Sequence, residues 1–513
     1  MIIIMKKTLF FFVLVLWGEM INAQLNKESE SLLKQQMYED FDFFYDKLLK
    51  VDPHLAVVKI VTGDDILADI QTLRMCIDTV SCEQGFYEIM YRAMMLCKNP
   101  HDSFAGNYIY SDKDTVEIKQ AEKNTLEKLK PIFDKYDRSI NPFPLYYFDG
   151  EYFTNEIFDK DGISQIPAKS KLLKIDDIPI DEYIKKWVFP VHDRVKWDNL
   201  HKKFYVGDIF TPARLSQSNN FKLTYSSSVA IKEKELTSYQ VEFPKYKGVS
   251  NPNIFYLEQD KILYIRVPEM KYEWIEPYKD GIAKYKNKDI KHVIIDVRKN
   301  GGGNDELWLN IVSAIIDQPI STLEKLGFKD NSLVKEYLKK SNIQYIDEEL
   351  QKEPLVIEKD TLFCIQQKRE IKPSENTLKF NGKIYVFVDD RCFSSTLAFA
   401  SFCQHTDQLI TIGTNSGYFG GQGITPFYFI LPNSKLIFRV DCSIDASYVN
   451  PNSYEDYYHN MVEVPVKFDI DDMMKEYEYG GIFYNSDYLY NDDPVFKYFY
   501  KNFCIKKHLI TNE

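Results

Sequence analysis

The sequence predicts an α+β multidomain protein, with an N-terminal helical domain, a β-rich domain and an α/β core built on a mainly parallel sheet. Three patterns carry that prediction. Between residues 26 and 100 apolar side chains recur at helical spacing. From about 105 to 250, short strand-like stretches are separated by turn residues. From about 254 onward, apolar strands alternate with amphipathic helices, as in strand–helix–strand units. The predicted division is a signal peptide at 1–23, a helical domain at 24–108, a β-rich domain at 109–250, a core at 251–480 and a C-terminal tail at 481–513.

The chain begins "MIIIMKKTLFFFVLVLWGEMINAQ". Lys6 and Lys7 precede an apolar run of signal-peptide length, and Ala23 offers a small residue at a cleavage position. Export to the periplasm or the extracellular space is expected. No later stretch is long and apolar enough to span a bilayer. Across 513 residues the composition is 44% hydrophobic and 27% charged, that of a folded globular protein. The net charge of -12 gives no general attraction to nucleic acid, and no such partner is expected. Eight cysteines form no paired C-x-x-C pattern, so no metal or other cofactor is expected. Cys76 and Cys82 are close enough in sequence to pair, and at most one disulfide is expected. Cys392 and Cys403 lie in apolar segments and read as buried small hydrophobes.

In the helical region, "SLLKQQMYEDFDFFYDKLLKV", "DDILADIQTLRMCI" and "CEQGFYEIMYRAMMLC" are three amphipathic helices, and Pro53 ends the first. In the β-rich region, "PLYYFDGEYFTNEIF" carries an Asp-Gly hairpin signal at 149–150. "AKSKLLKIDDIPIDEYIKKW" reads as a strand, a tight turn at Asp176-Asp177, a second short strand and a helix, and it resembles the peptide-binding PDZ-type module. In the core, "KILYIRVPEM", "HVIIDV", "KIYVFVDD" and "LITIG" are strands. The last three are continuous apolar runs of the kind buried on both faces. "EWIEPYKDGIAKY", "ELWLNIVSAII" and "SSTLAFASFCQ" are the helices between them.

Three segments could carry chemistry. "VDDRCFSSTLAF" places Ser394 where a buried strand turns into a helix. Unpaired first-turn N–H groups and the helix dipole favour an oxyanion there, which suits a nucleophilic serine. A serine at this position also fits a simple N-cap, and Ser395 competes with it. "VIIDVRKNGGGN" ends a strand in three glycines, so that backbone amides of Gly301 or Gly302 could approach a ligand closely. The segment lacks both G-x-G-x-x-G and the Lys-Ser/Thr of a phosphate loop. "KNPHDSFAG" places His101 in the turn that ends the helical region. It is a candidate base, or a solvated loop histidine.

Taken in order, "PHDSFAG", the PDZ-like stretch, "DVRKNGGG" at Asp296–Gly303, "CFSS" at Cys392–Ser395 and "LITIGTNSGYFGGQG" resemble the tail-specific (C-terminal processing) serine peptidase family, including its tricorn-like branch. The resemblance implies a crotonase- or ClpP-like core and selects Ser394 as nucleophile. Many members use a downstream Lys in a G-K-G turn, but no Lys lies between Gly413 and Gly423 here. The tricorn-like branch instead implies His101 as base, although Asn99-Pro100 replaces the more usual Asp-Gly. That branch also implies a late carboxylate, for which Glu455 and Asp456 are the candidates and Glu463 a third. The implied reaction is attack by Ser394 on a peptide carbonyl. His101 takes the proton, and N–H groups of the glycine turn and Ser395 hold the oxyanion. The implied partner is a peptide or unfolded protein, with its C-terminus held by strand addition to the PDZ-like module. A catalytically inactive relative that binds peptide is the alternative.

Overall fold

The computed structural model describes residues 33–104, 116–136, 145–191, 195–198, 200–206, 220–227, 230–237, 253–340, 355–357, 360–414, 426–447, 462–478 and 485–505. The chain forms two compact units that are not simple halves of the sequence. One comprises 1–242, 327–363 and 423–444, and the other 243–326, 364–422 and 445–513. The segment 1–23, expected to be a signal peptide, lies outside the described residues.

The second unit is built on a six-stranded sheet ordered Asn253–Leu257, Ile262–Arg266, His292–Asp296, Ile384–Val388, Leu409–Gly413, Val464–Pro465. Only the first pair is antiparallel, and every later pair is parallel, as the alternating pattern predicts. Successive side chains on a strand point to opposite faces. Leu263, Ile265, Val293, Ile295, Val386 and Val388 therefore enter one core, shared with helices Ile275–Ala283, Asp305–Ser313 and Ser395–Gln404. Ile262, Tyr264, Ile294, Tyr385 and Phe387 enter another. That second face is covered by the C-terminal segments Ser486–Asn491, Pro494–Phe499 and Tyr500–Ile505, through Leu489, Val495, Phe496 and Phe499. The tail is thus part of the core, and burial on both sides explains why these strands read as unbroken apolar runs.

The first unit contains the three expected helices, at Lys34–Val51, Ile66–Met75 and Glu83–Leu96. Among the described residues it also contains three that the sequence reading did not identify, at His54–Thr62, Val116–Lys135 and Ser332–Lys340. Helix His54–Thr62 starts directly after Pro53, which caps a new helix as well as ending the previous one. Helix Val116–Lys135 lies in a stretch read as β-rich, and it buries Ala121, Thr125, Leu129 and Ile132 at helical spacing around an internal Pro131. An antiparallel sheet follows, ordered Ala230–Thr237, Asn220–Ser227, Lys171–Ile175, Glu151–Thr154, Leu145–Phe148, with Ile178–Pro179 paired to Lys171–Ile175. Both expected tight turns are present. Asp149 and Gly150 have φ of 47° and 81°, and Asp176 and Asp177 have 50° and 63°. Two successive positive φ values make the turn whose twist matches a hairpin. A second small sheet pairs Ser103–Phe104 with Ile437–Val440, which continues to Phe427–Ile430. All eight cysteines are free thiols, Cys76 and Cys82 included.

Candidate active site

In the second unit, strands His292–Asp296 and Ile384–Val388 run side by side and parallel, and Asp296 is in register with Phe387. Their following turns therefore emerge at one sheet edge. The first is the glycine turn. Asn300 Nδ2 donates to the Val267 carbonyl at 2.9 Å, and Asn300 Oδ1 accepts from the Gly302 N–H at 2.8 Å. Lys299, Gly302 and Gly303 have φ of 61°, 98° and 134°.

The three glycines are not equivalent. A Cβ on Gly302 would lie 2.6 Å from the Phe393 carbonyl oxygen, 2.7 Å from Ser394 Cβ and 3.1 Å from the Ser395 nitrogen. A Cβ on Gly303 would lie 2.2 Å from the Met270 carbonyl oxygen. One on Gly301 would meet nothing within 4 Å. Gly302 is therefore glycine because the serine turn packs directly on it. Gly303 is glycine because its backbone pairs with Met270. The N–H of Gly302 is held by Asn300, so the sequence expectation of a free Gly302 amide needs refinement. Ser395, the other expected donor, opens the helix, so its first-turn N–H has no acceptor within that helix.

Ser394 occupies the N-cap position of helix Ser395–Gln404, but its hydroxyl makes no capping hydrogen bond. Its φ of 56° and ψ of −123° fall outside the regions open to most non-glycine residues. Such a conformation costs about 1–3 kcal/mol and persists only where the surroundings enforce it. Ser394 is partly exposed whereas Ser395 is buried, and among the described residues the Ser395 hydroxyl has no hydrogen-bond partner. Exposure thus separates the two serines in favour of Ser394.

Two buried groups brace these turns. Asp389 Oδ1 accepts from the N–H of Lys299 at 2.9 Å and from that of Arg391 at 3.1 Å, joining the glycine turn to the serine turn. The Phe393 N–H adds a direct link to the Asn300 carbonyl at 3.1 Å. Arg298 donates to Asp296 and, through both terminal nitrogens, to Asp493 of the C-terminal segment at 3.0 and 2.5 Å. Arg266 donates to the backbone carbonyls of Asp296 and Arg298. Burial pushes the Asp296 carboxyl up, but the Arg298 and Arg266 guanidiniums outweigh it and hold the group below the usual carboxylate range.

In the first unit, His101 sits in a turn held by its own N–H to Asn99 Oδ1 at 3.0 Å, and its carbonyl accepts from Arg439 Nε at 2.6 Å. Its Nδ1 lies 3.9 Å from Asp441 Oδ2. The same oxygen lies 3.5 Å from His54 Nε2. Neither Asp441 nor His54 was singled out by the sequence. The available signal was an Asp closing the buried strand "LIFRV", as Asp296 closes "HVIID" and Asp389 follows "IYVFV". The candidate carboxylates Glu455 and Asp456 lie outside the described residues, as does the segment around Phe419. Glu463 is described. It accepts from the Thr411 N–H at 2.9 Å and donates its own N–H to Thr411 Oγ1 at 3.0 Å, tying two strands together. Among the described residues no cluster of His, Cys, Asp and Glu could hold a metal ion. No helix among them is long and apolar enough to cross a membrane.

Residues 261–454 match the family model described as "Peptidase family S41". Among solved structures, mature CPAF in complex with lactacystin superposes with a TM-score of 0.55 at 14% identity, covering 94% of this chain and 99% of that one. Mature CPAF alone gives 0.54 at 13% identity, with 94% and 98% covered. At these identities the likeness concerns the fold. No curated protein matches the chain. The motif order read from the sequence and the family match agree: residues 261–454 are similar to the S41 family of peptidases.

Proposed function

We propose that the protein is an exported serine endopeptidase that cleaves extended peptides or unfolded proteins through an acyl-enzyme on Ser394. The observation that carries this reading is Ser394 itself. It is a strained, partly exposed serine at a helix start, its hydroxyl free of any capping bond, packed against a glycine that no other residue could replace without moving it. Attack by Ser394 Oγ on a peptide carbonyl forms a tetrahedral oxyanion, and the proton passes to the base. The Ser395 N–H is the first oxyanion donor. The Gly302 N–H contributes by sharing itself with Asn300 Oδ1. His101 is the proposed base, supported by its turn position in the family order and by the carboxylate of Asp441 at its Nδ1 side. Glu455 and Asp456 remain the proposed carboxylates of the catalytic network. The PDZ-like stretch around 171–187 is the proposed dock for a peptide C-terminus by strand addition.

The test is cleavage of denatured casein and of a peptide library by the wild type, Ser394→Ala, Ser395→Ala and His101→Ala. Loss of cleavage in Ser394→Ala and His101→Ala, with substantial activity left in Ser395→Ala, is expected. Activity that survives Ser394→Ala would overturn the nucleophile assignment. No cleavage by the wild type would favour a peptide-binding protein.

A further inference from the structure

In the second unit a buried chain of contacts runs from the C-terminal segment to the glycine turn. We propose that Arg298 and Asp493 are a positioning pair, through which the segment 486–505 holds the glycine turn, and with it Ser394, in working geometry. The kinetic consequences rest on the reading of Ser394 as nucleophile.

Arg298 faces two ways. Its backbone opens the glycine turn, where its N–H donates to Asp296 Oδ1 at 3.0 Å and its carbonyl accepts from Arg266 Nη2 at 2.5 Å. Its side chain, 1% exposed, lies over the Phe387 ring, on the sheet face that the C-terminal segment covers. There Nη1 donates to Asp493 Oδ1 at 3.0 Å and Nη2 to Asp493 Oδ2 at 2.5 Å, while Nε and Nη2 also donate to Asp296. A planar guanidinium held by a carboxylate on two sides has one orientation. Beyond Arg298 the turn is pinned residue by residue. Asp389 takes the Lys299 N–H, the Val297 carbonyl takes that of Asn300 at 3.1 Å, and Asn300 Oδ1 takes that of Gly302. Gly302 then packs on Ser394.

The segment is attached to the sheet without this pair. Leu489, Val495, Phe496 and Phe499 fill the second core, and the hydroxyls of Tyr490 and Tyr500 donate to Asp260. A buried ion pair adds little stability over apolar side chains of the same volume, because both charges lose their water. What it adds is direction, since two parallel hydrogen bonds fix both distance and angle. The acceptor is itself fixed. Asp493 Oδ1 also takes the N–H groups of Val495 and Phe496 at 2.9 and 3.0 Å, which caps helix Pro494–Phe499. The carboxylate is therefore as rigid as the first turn of that helix, and Arg298 carries its position into the glycine turn.

Asp493→Asn keeps an oxygen for the helix cap but turns one acceptor facing Arg298 into a donor. Arg298→Lys keeps a cation but loses the fork. Hydrogen exchange on the full chain reads the turns directly. In both variants, peptides covering 297–304 and 392–399 should exchange on the order of 10-fold faster relative to strands Ile262–Arg266 and Ile384–Val388, which report any loss of global stability. The wild type gives a readout that needs no variant: the two turns and the segment 486–499 should lose protection in the same step as urea is raised. Kinetics separate positioning from folding. Well below the melting temperature, Asp493→Asn should lower kcat on the order of 10-fold with KM little changed. Ile282→Ala, which costs stability through the core on the other sheet face, should keep wild-type kcat. A role in folding alone would leave kcat at the wild-type value in both. Unchanged relative exchange at the turns, separate steps in the wild type, or a wild-type kcat in Asp493→Asn overturns the proposal. A wild type that cleaves no peptide overturns the peptidase reading instead, and the exchange rates still decide whether the pair holds the turns.

Discussion

Replacing Gly302 with alanine probes the contact between the two turns directly. The added Cβ would sit 2.6 Å from the Phe393 carbonyl oxygen and 2.7 Å from Ser394 Cβ, where ordinary contact begins at 3.4 Å. Neither obstacle is the end of a flexible side chain, so the serine turn itself must retreat, by something near ~1 Å. Misplacing a reacting atom by that much costs on the order of 100-fold in rate. The left-handed φ of 98° adds about 1–2 kcal/mol of strain for any residue with a Cβ. The expected result for Gly302→Ala is a kcat on the order of 100-fold lower with KM little changed, and a melting temperature a few degrees lower. Gly301→Ala is the control. Its added methyl meets no atom within 4 Å and its φ is not positive, so kcat and stability should stay near wild type. Steady-state cleavage of a fluorogenic peptide beside a thermal melt reads both quantities. If Gly302→Ala keeps wild-type kcat, or if Gly301→Ala loses as much, the close packing of these turns is not what positions the serine.

Three further outcomes follow from the braces around the site. Asp389→Ala strips the shared acceptor from the N–H groups of Lys299 and Arg391 and should cost about 1–3 kcal/mol of stability together with a lower kcat, while Asp389→Asn recovers part of both. Urea unfolding and turnover check it, and an Asp389→Ala protein with unchanged kcat would count against the bridge. Asp493→Asn keeps an oxygen for the N–H groups of Val495 and Phe496 but removes the charge facing Arg298, so a loss of about 3–5 kcal/mol is expected; unchanged stability in urea would show the buried pair to be neutral. Asp296 is held below its ordinary value when folded, so its contribution to stability is present above about pH 4 and is lost as pH falls through the lowered value. Melting temperature against pH should therefore show an acid-side step in the wild type that Asp296→Asn lacks, and superimposable profiles would refute it.

The parts of the fold set by local pattern were legible in the sequence. The core strands could be read because burial on both faces leaves runs such as "HVIID" and "IYVFV" without polar interruption. The turns at Asp149-Gly150 and Asp176-Asp177 could be read because few residues accept two positive φ values in succession. What was missed depends on distant partners. Helix Val116–Lys135 finds its partners in distant segments, Phe133 against Tyr91 of an earlier helix and the Thr125 hydroxyl accepting from the Ile437 N–H. The tail after 481 has no readable chemistry until Asp493 meets Arg298. Ser394 and the glycine turn were candidates from their position at strand ends, and the family resemblance chose Ser394 over Ser395. His54 and Asp441 were not candidates, because only the folded chain brings the start of one early helix to the end of a late strand.

The three aspartates at strand ends show one device put to different uses. A carboxylate just past a buried strand can accept the N–H groups of the turn that follows and so fix its shape. Asp389 does this for Lys299 and Arg391, and Asp296 for Arg298, whose guanidinium then neutralises it. In both, the charge is absorbed into the scaffold. Among the described residues Asp441 accepts from the Ser443 N–H at 3.4 Å, and its Oδ2 faces two imidazoles. Asp441 thus places one buried carboxylate oxygen between two imidazoles, a position that neither Asp296 nor Asp389 shares.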